Sequence, residues 1–122
     1  MLQPNPTMTE IVIPIRVDAN ELWSNVFGSS GETFSWWRDL TFLEGSWNRV
    51  GRAQLTVEDP DGDGDAVLTK VVGIDEVGAA WGEAIRLNLR HCGSSLSDLE
   101  SFDACAADIV MQIAMLGEVM YG

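Results

Sequence analysis

Alternating apolar and polar residues predict four strands in this chain. The segment 11–17 alternates with period two, and Pro14 favours an edge position for it. After a bend at 35–37, the segments 39–44, 52–58 and 66–72 are also predicted to be strands. The turns at 45–51 and 59–65 join these three segments in sequence, which is typical of an antiparallel meander.

Three further segments, 22–27, 74–90 and 104–116, carry apolar residues at helical spacing. The first follows Asp18, a residue type favoured at helix N-caps, with an acidic residue three positions later as in a capping box. The second contains two glycines, each of which costs about 1 kcal/mol relative to alanine. We therefore expect a close packing contact at those glycines.

The third helix is apolar on almost every side. Asp103 is its candidate N-cap and Gly117 its candidate C-cap. Asp108 and Gln112 form its single polar stripe. Such a helix is either central in the fold or shared with a second subunit, so a homodimer through the helix 104–116 is one of the predicted assemblies.

These elements predict an α+β fold with one domain. A loose N-terminal lead-in covers residues 1–9, and the domain covers residues 10–122. The predicted architecture is a three- to four-stranded, mainly antiparallel sheet packed against two C-terminal helices, with a short N-terminal helix added.

The charge excludes two classes of partner. The chain of 122 residues has 19 acidic and 7 basic residues, a net charge of −12. Clustered lysine and arginine are needed to neutralise nucleic-acid phosphates or anionic lipid, so neither is expected as a direct partner. The net charge is −2 for residues 1–57 and −10 for residues 58–122, so the acidity is concentrated in the second half.

The turn 59–65 is the candidate metal site. Its aspartates alternate as D-x-D-x-D-G, the first six positions of a calcium loop, and hard oxygen ligands at every second residue suit Ca²⁺. Lys70 stands where the bidentate glutamate belongs, and strands flank the turn. The alternative is a solvated hairpin loop. The candidate ligands are Asp59, Asp61, Asp63 and Asp65.

No complete catalytic motif is present, so the sequence does not indicate an enzyme or a cofactor other than this calcium. His91, Cys92 and Cys105 match no common zinc spacing, and we interpret the cysteines as buried free thiols. With no signal peptide and no apolar run long enough to span a bilayer, we predict a cytoplasmic protein in a reducing compartment.

The five tryptophans are many for this length, and tryptophan is enriched at binding hot spots. Trp36 and Trp37 are consecutive, so in an extended segment one of them faces outward. Trp47 lies in a turn rich in glycine and polar residues. We predict an exposed aromatic patch of Trp36 or Trp37 with Trp47, surrounded by charged residues: Arg38, Glu44, Arg49 and Arg52.

Several strings of the sequence resemble small acidic proteins of bacteriophages that infect actinobacteria. The resemblance covers most of the chain after the lead-in, and no activity or catalytic residue comes with it. It implies expression in the cytoplasm of a host cell and an accessory role through binding a host protein. The strings are ELWS at 21–24, GSSGETFSWW at 28–37, LEGSW at 43–47, DACAADIVMQ at 103–112 and GEVMYG at 117–122.

Three functions therefore remain open. The first is protein–protein interaction with a host or phage protein, in host takeover or counter-defence, through the tryptophan patch. The second is mimicry of nucleic acid, in which acidic side chains occupy a DNA-binding protein. The third is weak divalent-ion binding at the turn 59–65. The candidates for the mimic are the acidic residues of the second half: Asp59, Asp61, Asp63, Asp65, Asp75, Glu76, Asp98, Glu100 and Asp103.

Overall fold

A computed structural model describes residues 16–30, 34–87, 90–91, 94–95 and 102–121. The lead-in and most of the predicted strand 11–17 lie outside these residues. The α+β class is confirmed, with a three-stranded antiparallel sheet in the order β1-β2-β3 and three helices. In chain order the elements are α1 (Ala19–Ser30), β1 (Trp37–Ser46), β2 (Arg49–Glu58), β3 (Val67–Gly73), α2 (Ile74–Arg86), β4 (Arg90–His91), β5 (Ser94–Ser95) and α3 (Ala104–Leu116).

The sheet buries one face. Ala53, Leu55 and Val57 alternate along β2 and are completely buried, as their period-two pattern predicts. Their partners Phe42 and Leu40 on β1 point to the same side, opposite Ala53 and Leu55. The sheet therefore presents an apolar face to the helices, and α1 and α2 both contact β2.

Helix α1 begins where the sequence predicts. The Asp18 carboxylate accepts a hydrogen bond from the Glu21 backbone N–H at 3.0 Å, which satisfies one of the free donors of the first turn. Leu22 and Trp23 then lie on the buried face. The Asn20 side chain accepts a hydrogen bond from the Val50 backbone N–H at 2.8 Å, so the start of the helix is fixed to β2.

Helix α3 is central, and it packs chiefly on α1 and α2. Asp103 caps its first turn through the Ala106 backbone N–H at 3.0 Å, and Gly117 ends it with a φ of 83°, as predicted. Eight of its residues are buried within the chain itself. Much of the apolar surface that suggested a homodimer through 104–116 is therefore covered within the chain, and the homodimer stays a prediction.

The polar stripe of α3 is used inside the molecule. The Asp108 carboxylate accepts a hydrogen bond from the Trp36 indole at 2.7 Å. Gln112 is completely buried, and its amide oxygen accepts from the backbone N–H groups of Met120 and Tyr121 at 2.8 and 2.7 Å. Both polar side chains are thus satisfied without a second subunit, as buried polar groups require.

The structure changes two predictions based on glycine. The turn predicted at 45–51 is present but shorter, at residues 47–48, and the rest of the segment forms the ends of β1 and β2. A Cβ on Gly51 would lie 2.1 Å from the Glu44 carbonyl oxygen, so glycine here permits close backbone approach at a bulged register. Conversely, nothing lies within 4 Å of a Cβ added to Gly78 or Gly82, so no close contact requires these helical glycines.

The expectation of a free thiol at Cys105 was also wrong, because this residue is disulfide-bonded. The chain has one other cysteine, Cys92, which lies outside the described residues. Disulfides persist mainly in oxidising compartments, so the cysteines no longer support the predicted reducing compartment. Among the described residues, no helix is both long and apolar enough to cross a membrane.

Candidate functional site

A groove of about 710 Å³ lies between the end of α1 and strand β1. Four aromatic rings line it, together with a leucine, a glycine and one charged residue of each sign. We call this site the aromatic groove, and its residues are Phe27, Gly28, Trp37, Arg38, Asp39, Leu40, Phe42 and Trp47. Its size is that of known ligand-binding clefts, which are also mostly apolar with a few polar groups.

The position of α1 shapes the groove. The indole N–H of Trp23 donates a hydrogen bond to the Ser46 carbonyl oxygen at 2.8 Å, which fixes the helix to the end of β1. Phe27, one turn later, packs edge-on against Phe42 with ring centroids 5.4 Å apart. A Cβ on Gly28 would lie only 2.9 Å from the Trp47 ring, so that indole rests directly on the glycine.

Trp36 does not belong to the exposed surface, which corrects its inclusion in the predicted patch. It is 3% exposed, and its ring stacks on Tyr121 with centroids 5.8 Å apart. The hydrogen bond from its indole to Asp108 secures it in the core. Of the two consecutive tryptophans, Trp36 therefore faces inward and Trp37 forms part of the groove wall.

Trp37 and Trp47 supply the two indoles of the groove. Trp37 is half-buried and packs against Phe27, whereas Trp47 at the hairpin turn is 53% exposed. The indole nitrogen of Trp37 is buried and has no hydrogen-bond partner within the described part of the chain. Leaving such a donor unsatisfied costs about 1–3 kcal/mol, and a bound ligand with an acceptor is one way to recover it.

The arginines predicted at the rim are largely neutralised. Arg38 lies 2.6 Å from the Glu58 carboxylate, and Arg52 lies 2.9 Å from that of Glu44. Arg49 is exposed at the start of β2 and does not line the groove. With Arg38 paired, the carboxylate of Asp39 is the unneutralised charge of the groove; its described hydrogen bond is one of 2.9 Å accepted from the Leu40 backbone N–H.

The turn 59–65 is the hairpin connection between β2 and β3. Asp59 accepts a backbone hydrogen bond from Asp61 at 3.0 Å, the local Asx bond that makes aspartate a turn residue. Across the described residues, no group of three or more histidine, cysteine, aspartate or glutamate side chains is placed to hold a metal ion. The structure therefore does not bring Asp59, Asp61, Asp63 and Asp65 together as ligands.

The remaining acidic candidates lie on different elements. Asp75 and Glu76 are exposed in the first turn of α2, where the Glu76 carboxylate accepts from the Gly73 backbone N–H at 3.3 Å. Asp103 caps α3, while Asp98 and Glu100 lie outside the described residues. Several acidic side chains thus have structural roles at helix starts, where negative charge is favourable.

Lys70, the residue that breaks the calcium-loop pattern, has a role of its own. Its ammonium donates a hydrogen bond to the Ala114 carbonyl oxygen at 2.8 Å, in the last turn of α3. Carbonyl groups at a helix C-terminus have no partner within the helix, and a cation there also complements the helix dipole. Lys70 on β3 thus supplies a hydrogen-bond donor and a positive charge to the C-terminal turn of α3.

Sequence reasoning missed five of the eight groove residues. Phe27 was assigned only to its helix, Asp39, Leu40 and Phe42 only to a strand, and Gly28 to no site. The available signal was the density of aromatic residues between 23 and 47, where four of the five tryptophans lie. The packing of α1 beside β1 is a tertiary contact, and hydrophobic periodicity along the chain does not predict it.

Comparison with known proteins gives no relative for this site. No family model, no curated protein and no solved structure matches the chain.

Proposed function

We propose that this protein acts by binding another protein through the aromatic groove. The observation that carries the proposal is the juxtaposition of Trp37 and Trp47 around an open groove of about 710 Å³. Tryptophan side chains contribute a large share of binding energy at interfaces, because they bury much area with few rotatable bonds. An exposed indole beside a preformed apolar groove is the arrangement expected of an interaction site.

The biological setting is part of the same proposal. The resemblance to actinobacteriophage proteins supports an accessory role in which the partner is a host or phage protein. The acidic chain would keep such a protein soluble and steer it towards positively charged partners. Host takeover and counter-defence are the two activities that we propose for it.

The test is affinity capture from actinobacterial lysate with the full chain and two variants. Trp47→Ala removes the most exposed ring of the groove. Val67→Ala is the matched control, since Val67 is 51% exposed on β3, at the far edge of the sheet. We expect Trp47→Ala to lose the captured protein and Val67→Ala to retain it, with both variants folded by circular dichroism.

A third variant separates the groove from the acidic turn. Asp61, Asp63 and Asp65 are exposed and can be changed together to asparagine with little effect on folding. Capture that is lost in this triple variant and unchanged in Trp47→Ala would overturn the proposal, and it would favour nucleic-acid mimicry instead. If capture is unchanged in every variant, neither the aromatic groove nor the acidic turn 59–65 is the binding surface.

A further inference from the structure

We infer that the aromatic groove receives an extended protein segment that pairs with the open edge of β1 and places an arginine or lysine side chain in the groove. This inference rests on the proposed function and specifies the chemistry of the partner. Two observations carry it: the groove follows a strand edge, and its uncompensated charge is negative.

The lining residues show that the groove runs along the edge of β1. Successive side chains of a strand point to opposite faces, so a cavity on one face is lined by alternate residues only. Here Leu40 and Phe42, which face the core, line the same groove as Asp39, which alternates with them and is exposed. A cavity that reaches both sets must lie beside the backbone of the strand.

No second strand pairs with that edge among the described residues. β1 lies at the end of the sheet order and is paired with β2 alone in the described part of the chain. Its pairing is regular from Asp39 to Phe42, between register shifts on either side. Four residues at about 3.3 Å each give about 13 Å of strand. Addition of an extended segment to such an edge is a common mode of peptide recognition.

One backbone donor on this edge is already visible. The Leu40 backbone N–H donates a hydrogen bond of 2.9 Å to the Asp39 carboxylate, so a side chain of the same strand holds this donor. A segment that pairs with β1 would offer its own carbonyl to Leu40 and release the Asp39 carboxylate. A basic side chain on the same segment would then pair with that carboxylate.

The electrostatics of the groove favour a cation. Arg38, Asp39 and Glu58 together carry a charge of −1, and the pairing of Arg38 with Glu58 at 2.6 Å leaves the Asp39 carboxylate without an ion-pair partner among the described residues. The faces of aromatic rings attract cations, and those of tryptophan do so most strongly. The net charge of −12 extends the same preference to long range and disfavours acidic segments.

The experiment uses blocked pentapeptides of alternating threonine and valine with a variable central residue. Arginine and its neutral isostere citrulline are compared, and a third peptide carries arginine with alternate backbone nitrogens methylated so that it cannot pair as a strand. The readout is the set of indole N–H signals of the full chain by NMR. We expect the arginine peptide to shift the signals of Trp37 and Trp47 and to leave those of Trp23 and Trp81 in place.

Citrulline should weaken binding about fivefold or more, the equivalent of about 1 kcal/mol. Asp39→Asn should reduce the affinity for arginine to near that for citrulline. Asp61→Asn is the matched control, because it removes the same charge from the exposed hairpin turn. In Asp61→Asn the arginine peptide should still bind about fivefold or more tightly than the citrulline peptide.

Equal affinity for the arginine and citrulline peptides would overturn the cationic part of the inference. Equal affinity for the arginine peptide with and without methylated backbone nitrogens would overturn strand pairing. If no peptide shifts the Trp37 and Trp47 signals while capture from lysate still depends on Trp47, the inference is wrong and the proposed function stands. If capture is independent of Trp47, the proposed function itself fails.

Discussion

Replacing Gln112 with leucine tests how the segment after α3 is held. Gln112 is the one polar or charged residue that is fully buried among the described residues. Its amide oxygen accepts from the backbone N–H groups of Met120 and Tyr121, and its amide nitrogen donates to the Tyr121 carbonyl oxygen at 3.1 Å. Leucine fills a similar volume and can make none of these hydrogen bonds, so packing changes little while polar pairing is lost.

The size of the effect follows from the three hydrogen bonds. Each contributes about 0.5–1.5 kcal/mol net, so the free energy of unfolding should fall by about 2–4 kcal/mol. The backbone groups of Met120 and Tyr121 would then need water, which pulls the segment away from α3 and removes the Tyr121 ring from Trp36. Gln54→Leu is the control, because Gln54 is exposed on β2 and should change stability by no more than about 0.5 kcal/mol.

Urea unfolding gives the change in stability, and amide hydrogen exchange gives the location of the change. We expect the amides of Met120 and Tyr121 to lose protection against exchange in Gln112→Leu. The amides that pair β1 with β2 should lose protection only in proportion to the fall in the free energy of global unfolding. A loss of stability no larger than that of the control, or unchanged protection at those two amides, would refute the reasoning.

Two further predictions concern ionisation and backbone conformation. Burial, with the nearby carboxylates of Glu58 and Asp59, raises the pKa of Tyr121, and since this is the only tyrosine, tyrosinate absorbance measures it directly. The neutral phenol therefore contributes its full stabilisation of the folded state below the pKa of Tyr121 in the unfolded chain. This contribution is lost as the pH rises through the higher pKa of the folded state. Ionisation of Tyr121 in the folded protein at or below about pH 10 would contradict the raised pKa. Alanine at Gly82 should stabilise the exposed helix interior by about 0.5–1 kcal/mol, whereas alanine at Gly117, where φ is 83°, should destabilise by about 1–2 kcal/mol; urea unfolding with the same sign for both would contradict this.

The helices were predictable where local chemistry marks their ends. Asp103 and Gly117 are residue types that satisfy the free groups at a helix start and end, so the predicted bounds of α3 agree with the observed ones. The alternation along β2 likewise predicted which side is buried. These features depend on neighbours within a few residues, which the sequence shows directly.

The hairpin and the groove depended on contacts that the sequence does not show. Gly45 and Gly51 are typical of turns, and only the paired strands show that they relieve a close backbone approach. For Trp36 and Trp37, period two predicts opposite faces but not which residue is buried. Trp36 is the buried residue of the two, and its indole donates a hydrogen bond to the carboxylate of Asp108, which is 72 residues away in sequence.

The hydrogen bond between Trp36 and Asp108 has a consequence for the neighbouring residue. Because one peptide bond links Trp36 to Trp37, fixing the first indole in the core also fixes the backbone from which the second extends. A ligand that enters the groove therefore meets a wall that is already ordered, and little conformational entropy is lost when it binds. Such preorganisation favours fast association without rearrangement and leaves differences in affinity to appear mainly as differences in dissociation rate.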